Sequence, residues 1–145
     1  MLRLAGGVPE LAGPCGPDPW YIEVGANQDP VAVVRQLTTN QLGEPLLVHS
    51  TSWRTARGSV ILSFVVVNHE GQAPDLPGVP IGRAELARSE ATSAPVRIGH
   101  LQVLEHGLRH LAWLVQDDPT VRDALSPGWK RLLAGYVAEP FRHLG

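Results

Sequence analysis

Two β-prone runs stand close together in the middle of the chain, and they constrain the fold more than any other feature. The first is LLVHSTSWR at residues 46–54, and the second is SVILSFVVVN at residues 59–68. Because only four residues link them, we predict that the runs pair as an antiparallel hairpin. The second run is apolar on both faces, which is typical of a central strand. The sequence therefore predicts a small mixed or antiparallel sheet built on residues 59–68.

Signals for one more strand and for several helices surround this hairpin and indicate an α+β fold. The alternating segment WYIEVG at residues 20–25 predicts a strand. A helix is expected after Asp29-Pro30, which supplies an N-cap and a first-turn proline. Shorter helices are expected after Asp118-Pro119 and Ser126-Pro127 for the same reason. In the second of these, the residues that repeat at core spacing are Trp129, Leu132, Leu133, Tyr136 and Val137. If the strand at 20–25 neighbours the first strand of the hairpin, the helix between them makes a right-handed parallel crossover.

Domain organisation follows from chain length and from the positions of glycine and proline. Residues 1–18 are rich in both and show no apolar period, which predicts a flexible leader. The remaining residues, 19–145, have the size of a single domain. Residues 69–96 mix loop composition with patterns of a short helix or an edge strand. A stretch of this length without regular structure is uncommon in a compact domain unless it forms a lid or a binding loop.

The strongest helical pattern is IGHLQVLEHGLRHLAWLVQ at residues 98–116, and we predict one long helix that covers the sheet. Its apolar stripe alternates steps of three and four residues and consists of Leu101, Leu104, Leu108, Leu111 and Val115. His106 and His110 lie near the opposite side, at about 100° per residue, and Trp113 flanks His106 there. Such a helix either packs on two sides or shows an aromatic and imidazole face to a cleft, and the pattern leaves both open.

Composition and charge exclude several classes of function. The formal net charge is −2, whereas a nucleic-acid-binding domain normally carries a basic surface. Cys15 is the only cysteine, which excludes an internal disulfide and a Cys-x-x-Cys pair. The longest apolar run, residues 60–67, is far shorter than the ~20 residues that span a bilayer, and the first ten residues lack the apolar segment of a signal peptide. We therefore expect a cytoplasmic protein without a nucleic-acid or membrane partner.

Polar side chains at the end of the run 46–54 form the first candidate site. Simple alternation places His49, Thr51 and Trp53 on one face, with Arg54 at the turn. Arginine is a two-pronged donor for a carboxylate or phosphate, and histidine has a pKa suited to a general base. We predict that His49, Trp53 and Arg54 border a site for a small anionic ligand. The alternative is an ordinary strand whose hydroxyl side chains bond to its neighbour.

His106 and His110 form the second candidate site. Their spacing of four residues allows two imidazoles to bind one metal ion on a helix. A third ligand is not evident, because Gly107 stands where a helical metalloprotease motif has its glutamate. Glu105 is better placed for an ion pair with Arg109, one turn further on. We therefore expect no bound metal and no cofactor, and the alternative role of both histidines is half-buried, hydrogen-bonded packing.

Two hypotheses of different classes account for these features. The first is a small ligand-binding or protein-interaction module that forms a homodimer or binds another protein. It fits the low net charge, the four tryptophans and the lack of a complete catalytic motif, and its candidate contacts are His49, Trp53, Arg54, His106, His110 and Trp113. The second is a small enzyme that uses His49, or His106 with His110, for acid–base catalysis or metal-assisted hydrolysis. Convergence of these side chains in one pocket favours the enzyme.

Overall fold

A computed structural model of the chain describes residues 1–81 and 100–138, with side chains described from residue 103 in the second range. The fold is α+β, as the sequence predicts. The chain divides into two compact units, Met1–Ile81 and Gly82–Gly145. The first unit holds a sheet and one helix, and the described part of the second unit is helical.

Five strands form a mixed sheet in the first unit, and they are β1 (Leu2–Ala5), β2 (Val8–Ala12), β3 (Leu47–Ala56), β4 (Ser59–Val67) and β5 (Gly78–Pro80). Their order across the sheet is β3-β4-β1-β2-β5. The β4–β1 pair is parallel, through Leu2 and Val67, and the other pairs are antiparallel. Strand β4 is thus interior, and β3 is an edge strand among the described residues.

The predicted hairpin is confirmed as β3 and β4, with ends that differ from the prediction by one or two residues. The turn is tighter than the predicted four residues, because only Arg57 and Gly58 separate the strands. Both have positive φ angles, 51° and 78°, as a two-residue turn of the primed type requires. The expectation that β4 is apolar and buried on both faces holds only near its end, where Val65 and Val67 are buried. Residues 59–62 are largely exposed.

The predicted flexible leader at residues 1–18 is wrong for its first two thirds. Strands β1 and β2 pair antiparallel over four register positions and lie in the interior of the sheet. Gly6 and Gly7, with φ angles of 56° and 80°, form the turn between them. Alternation of Leu2 and Leu4 with Arg3 is a strand pattern, and the glycines that suggested disorder are the turn that the hairpin needs.

The strand predicted at residues 20–25 is not present, and that segment is irregular. Tyr21 is 72% exposed and Val24 is also exposed, so the alternating pattern buries little. A strand propensity reflects how well side chains pack on a sheet, and here β1 occupies the place beside β4 that a further strand would need. The expected parallel crossover from residues 20–25 to β3 therefore does not form.

Helix α1 (Pro30–Leu42) begins as the sequence predicts and is anchored at its end by a side chain from a later loop. Asp29 caps its start by accepting a hydrogen bond from the Val31 amide at 2.9 Å. At its end, Gln72 Nε2 donates to the carbonyl of Leu42 at 2.8 Å and to that of Glu44 at 3.2 Å. The intervening Gly43 has a φ of 88° and leaves no room for a Cβ beside the Gln72 amide. Residues 69–77 are thus held against the helix end.

Glu44 lies at the same helix end and closes a small polar cluster. Its carboxylate accepts hydrogen bonds from the Thr39 hydroxyl at 2.8 Å and from Arg35 at 2.6 Å. The Thr39 hydrogen bond, followed by the Arg35 contact, holds the pKa of the Glu44 carboxyl below its usual range. The cluster is exposed. Its hydrogen bonds link the last turns of α1 to the short segment that leads to β3.

An ion pair between Arg3 and Glu10 joins β1, β2 and β5. The two residues are direct register partners, and Arg3 Nε lies 3.0 Å from Glu10 Oε2 in a mostly buried position. Arg3 Nη1 also donates to the carbonyl of Ala73 at 2.6 Å. Gly78 of β5 lies against this pair, since a Cβ there would come within 2.6 Å of Arg3 Nη2 and would overlap the Glu10 carboxylate. Part of the segment 69–96 is therefore an ordered loop leading to β5, and residues 82–96 lie outside the described residues.

Replacing Gly78 with alanine is expected to loosen β5 from the sheet. The added Cβ meets two side chains that cannot move freely, because Arg3 and Glu10 hold each other, and overpacking of this kind costs about 1–3 kcal/mol. The measurement is hydrogen exchange at the Ile81 amide, which donates to the Pro9 carbonyl at 2.9 Å. Val79→Ala, at an exposed position of the same strand, is the control. Equal protection of Ile81 in both variants would contradict the packing described here.

The described part of the second unit consists of three successive helices, which are α2 (His100–Asp117), α3 (Pro119–Ala124) and α4 (Pro127–Leu133). Asp118 caps α3 by accepting from the Thr120 amide at 2.8 Å, and Ser126 caps α4 by accepting from the Trp129 amide at 3.4 Å. Helix α2 contacts both shorter helices. Among the side chains described from residue 103 to residue 138, the buried apolar ones are Leu104, Leu108, Leu111, Ala112, Val121, Leu125, Trp129 and Leu133.

Two expectations for this region are not confirmed. The predicted single long C-terminal helix is not observed, because the described part of this unit is divided into three helices of 18, 6 and 7 residues. Residues 98 and 99 lie outside the described residues. The last helix ends at Leu133, so Val137, which the spacing placed in the core, is 71% exposed. None of the described helices has the length and apolar character needed to cross a membrane.

Candidate functional site

A β-bulge in the middle of β3 determines how the candidate residues of the hairpin are arranged. Ser50 pairs with Phe64, and Ser52 pairs with the next residue of β4, Ser63. Thr51 is therefore one extra residue in β3. Its side chain is fully buried, and its hydroxyl donates to the Ser63 carbonyl at 3.2 Å.

The extra residue reverses the alternation of every side chain that follows it in β3. Residues directly opposite each other on paired strands share a face. His49 lies opposite Val65, and Arg54 lies opposite Ile61, so both belong to one face, which we name the Val65 face. Trp53 lies opposite Leu62 on the other side of the sheet, and we name that side the Phe64 face.

The predicted grouping of His49, Thr51 and Trp53 on one face is therefore wrong. The prediction assumed unbroken alternation, and a single bulge moves Trp53 to the opposite face from His49. His49 and Arg54 do share a face, but about 15 Å of strand separates them at the usual rise per residue. One small ligand cannot be held between Arg54 and Trp53 in the way that the sequence suggested.

Three exposed apolar side chains lie together on the Phe64 face near the turn of the hairpin. Trp53 is 65% exposed, Val60 is 65% exposed and Leu62 is 41% exposed. Trp53 and Leu62 are direct cross-strand partners, and Val60 follows Leu62 by two residues along the same face of β4. We name these three residues the hairpin patch. Side chains of this size at these exposures present on the order of 300 Å² of apolar surface, which is comparable to the largest apolar patch on many monomeric proteins.

The hairpin also differs in charge from the rest of the chain. Residues 45–69 contain Arg54 and Arg57 and no aspartate or glutamate. The whole chain has 12 basic and 14 acidic residues, so the part outside the hairpin has 10 basic and 14 acidic residues, a formal net charge of −4. Of the two β-hairpins in the described residues, only this one carries a net positive charge, and its two arginines lie near the apolar patch.

No family model, no curated protein and no solved structure matches this chain. What it does must therefore be argued from its own side chains.

The second candidate group, on α2, is packed more closely than an open binding face. His110 is only 5% exposed, and its ring stacks on that of Trp113 with centroids 5.6 Å apart and planes at 27°. His106 and Trp113 are half-buried. The structure thus brings His110 and Trp113 together, and of the two arrangements that the helical pattern allowed, it favours packing on two sides.

The expected ion pair on the same helix is confirmed. Arg109 Nη2 lies 2.5 Å from Glu105 Oε1, one helical turn away, and Glu105 is buried. Among the described side chains, those of residues 1–81 and 103–138, no three His, Cys, Asp or Glu groups lie together so that they could hold a metal ion. The absence of a metal and a cofactor stays a prediction.

Val60 and Leu62 are the surface residues that the sequence did not reveal. The apolar run SVILSFVVVN has the pattern of a strand that is buried on both faces, and residue type alone does not distinguish its largely exposed first half from its more buried second half. One available signal was that Val60 and Leu62 lie next to the hairpin turn. Strand β4 pairs with β1 only at Val67, at its far end, so the residues near the turn have a neighbouring described strand on one side only. The strand is therefore covered at that end and open near the hairpin turn.

Proposed function

We propose that this protein is an interaction module that binds a protein partner through the hairpin patch. The observation that carries the proposal is the exposure of Trp53, Val60 and Leu62 side by side on one face of an ordered hairpin. Contiguous apolar surface of this kind is often a contact site in soluble proteins. Tryptophan is also the residue type most enriched among the side chains that dominate binding energy.

The size of the hairpin patch sets a limit on what it can do alone. Burial of about 300 Å² of apolar surface yields about 7 kcal/mol at ~25 cal/mol per Å². Loss of rotational and translational freedom on association costs an estimated 4–15 kcal/mol. A specific interface buries about 800 Å² on each partner. The patch is thus suited to be the centre of an interface whose remaining contacts come from the surrounding backbone and charges.

The alternative function, a small enzyme, has less support from the described side chains. A general base must reach the proton it removes, and His110 is buried beneath the stacked ring of Trp113. His49 is half-buried, and Arg54, the arginine predicted to share its site, is about 15 Å away along the strand. Binding of a small anion by Arg54 stays a prediction, without help from Trp53.

Replacing Trp53 with serine is expected to abolish partner binding and leave folding nearly unchanged. An exposed side chain of a hairpin typically changes stability by less than about 0.5 kcal/mol when replaced, whereas the central aromatic residue of an interface carries 2 kcal/mol or more, about thirtyfold in affinity. The test introduces a photo-crosslinking phenylalanine analogue in living cells and measures the masses of the products. Position 53 identifies the partner, and position 60 in the same patch compares the wild type with Trp53→Ser, in which we expect the product to disappear.

The control for this experiment places the same analogue at Tyr21, which is an exposed aromatic residue outside the sheet. We expect one discrete product from position 53, lost when Leu62 is replaced by serine, and none from position 21. A product of twice the 15.6 kDa chain mass identifies a second copy as the partner. Equal products from both positions, or none from position 53, would contradict the proposed function.

A further inference from the structure

The outer edge of β3 offers the additional contacts that the hairpin patch lacks. Strand β3 is the first strand in the sheet order, and within the described ranges no strand pairs with its outer side. An edge strand presents alternate N–H and C=O groups that can pair with an added strand. The bulge at Thr51 interrupts the strand, so the regular stretch available for pairing is Ser52–Ala56 next to the turn.

The side chains along this stretch differ between the two faces of the sheet. Trp53 and Thr55 lie on the Phe64 face, where Trp53 is part of the hairpin patch. Ser52 and Arg54 lie on the Val65 face. A strand added to this edge alternates in the same way. Its residues on one side meet Trp53, and its residues on the other side meet the guanidinium of Arg54.

The positive charge of the hairpin sets a second requirement for the side chains of an added strand. The hairpin contains two arginines and no acidic residue, and Arg57 at the turn lies just beyond Ala56. An incoming strand with carboxylates on the Arg54 side gains ion pairs across the edge, since opposite charges on neighbouring strands stabilise pairing. On the other side, an apolar side chain covers the indole of Trp53.

We propose, resting on the interaction function above, that the partner is an extended segment with alternating acidic and apolar residues, which adds as a strand to the edge Ser52–Ala56 of β3. Backbone hydrogen bonds supply the contacts that the hairpin patch alone does not, and the two faces of the edge select the alternating pattern.

A second copy of this chain fits the same edge less well. Antiparallel pairing of two Ser52–Ala56 edges about a two-fold axis brings Arg54 of each copy opposite, or within one or two positions of, its counterpart. Like charges placed across neighbouring strands are destabilising. Residues 45–69 contain no acidic residue, so the hairpin itself offers no carboxylate that could relieve that repulsion.

The test uses the full chain labelled with ¹⁵N and a synthetic, end-capped peptide of about seven residues in which valine and glutamate alternate. We expect the amide resonances of Ser52–Ala56 to shift on titration and binding to weaken when salt is raised, as screening of the ion pairs requires. Arg54→Glu should weaken binding by about fivefold or more, since exposed ion pairs are worth up to about 1 kcal/mol and the variant adds repulsion. Trp53→Ser should weaken it by at least about tenfold.

Three controls decide whether the edge, the charge and the alternation all contribute. A peptide with lysine in place of glutamate should bind wild type weakly and the Arg54→Glu variant better. A glutamate peptide that is N-methylated at alternate residues should lose binding, because one side of its backbone can no longer donate. A peptide of the same composition with the valines and the glutamates in separate blocks should also bind weakly.

Several outcomes would overturn this inference. Equal binding of the glutamate and lysine peptides removes the charge argument, and unchanged binding after N-methylation removes strand addition. If the peptide does not bind while sedimentation shows a dimer that Trp53→Ser abolishes, the partner is a second copy and the proposed function stands. If anionic vesicles shift the same resonances and the peptide does not, the surface binds lipid, and the proposed function fails as well.

Discussion

Replacing Arg3 with alanine is expected to destabilise the sheet unit by about 2–4 kcal/mol. The substitution leaves the Glu10 carboxylate in a mostly buried position without its partner, and breaking a buried pair from one side costs about 3–5 kcal/mol. Because the pair is slightly exposed, we expect the loss of stability to lie toward the lower end of that range. The change also removes the hydrogen bond to the Ala73 carbonyl. Urea unfolding gives the free energy, and hydrogen exchange at the Ala12 and Ile81 amides shows whether β2 loses its neighbours.

The double variant Arg3→Met with Glu10→Leu distinguishes the cost of leaving one buried charge alone from the net contribution of the ion pair to the free energy of unfolding. Apolar residues of similar volume in place of both partners often leave stability unchanged or raise it. We therefore expect the double variant to lie within about 1 kcal/mol of the wild type. A loss below about 1 kcal/mol for Arg3→Ala itself would mean that Glu10 reaches solvent and that the pair does not hold β1 and β2 together.

The elements that the sequence predicts well are those whose signal is local. The hairpin of β3 and β4 follows from two strongly β-prone runs and a short link, and α1, α3 and α4 follow from Asp-Pro and Ser-Pro starts whose caps are observed. In each case the residues that define the element are neighbours in the chain. The contact of Glu105 with Arg109 is predictable for the same reason.

The elements that the sequence misses depend on distant partners. Strands β1 and β2 have only four and five residues, and their place in the sheet depends on contacts with β4 and β5, far along the chain. Segment 20–25 shows the converse. Its apolar and polar residues alternate more regularly than those of β2, yet it does not pair with any strand of the described sheet. The energy of strand pairing comes from residues that are distant in the sequence, so a local sequence pattern does not reveal it.

The candidate site illustrates how small an irregularity reverses a prediction of function. The types of residue were well chosen, because Trp53 is exposed and Arg54 lies at the edge of the sheet. One extra residue at Thr51 moves Trp53 to the opposite face from His49, so the predicted contacts do not share one pocket. Bulges have no strict sequence signature, so this change required the observed register.

Replacing Trp129 with alanine is expected to destabilise the helical unit by about 3–5 kcal/mol, the range for removal of a large buried aromatic side chain. Trp129 is fully buried in α4 and is the largest side chain with no exposure in the described residues. Leu108 and Leu111 of α2 are fully buried in the same unit. Hydrogen exchange across α2, compared with that across β3 and β4, reports the loss and shows whether it stays within the helices.

Two matched substitutions test whether the loss of stability depends on the side-chain volume that is buried at position 129. Trp129→Phe keeps most of the apolar area, and we expect it to cost less than half as much, because the cavity it leaves is smaller. Val137→Ala changes an aliphatic residue that the sequence pattern assigned to the same core but that is mostly exposed, and it should change stability by less than about 0.5 kcal/mol. If Val137→Ala proved as costly as Trp129→Ala, the chain beyond Leu133 would belong to the core, and the helix would continue as its spacing suggested. The difference between these two variants therefore measures where the helical core ends.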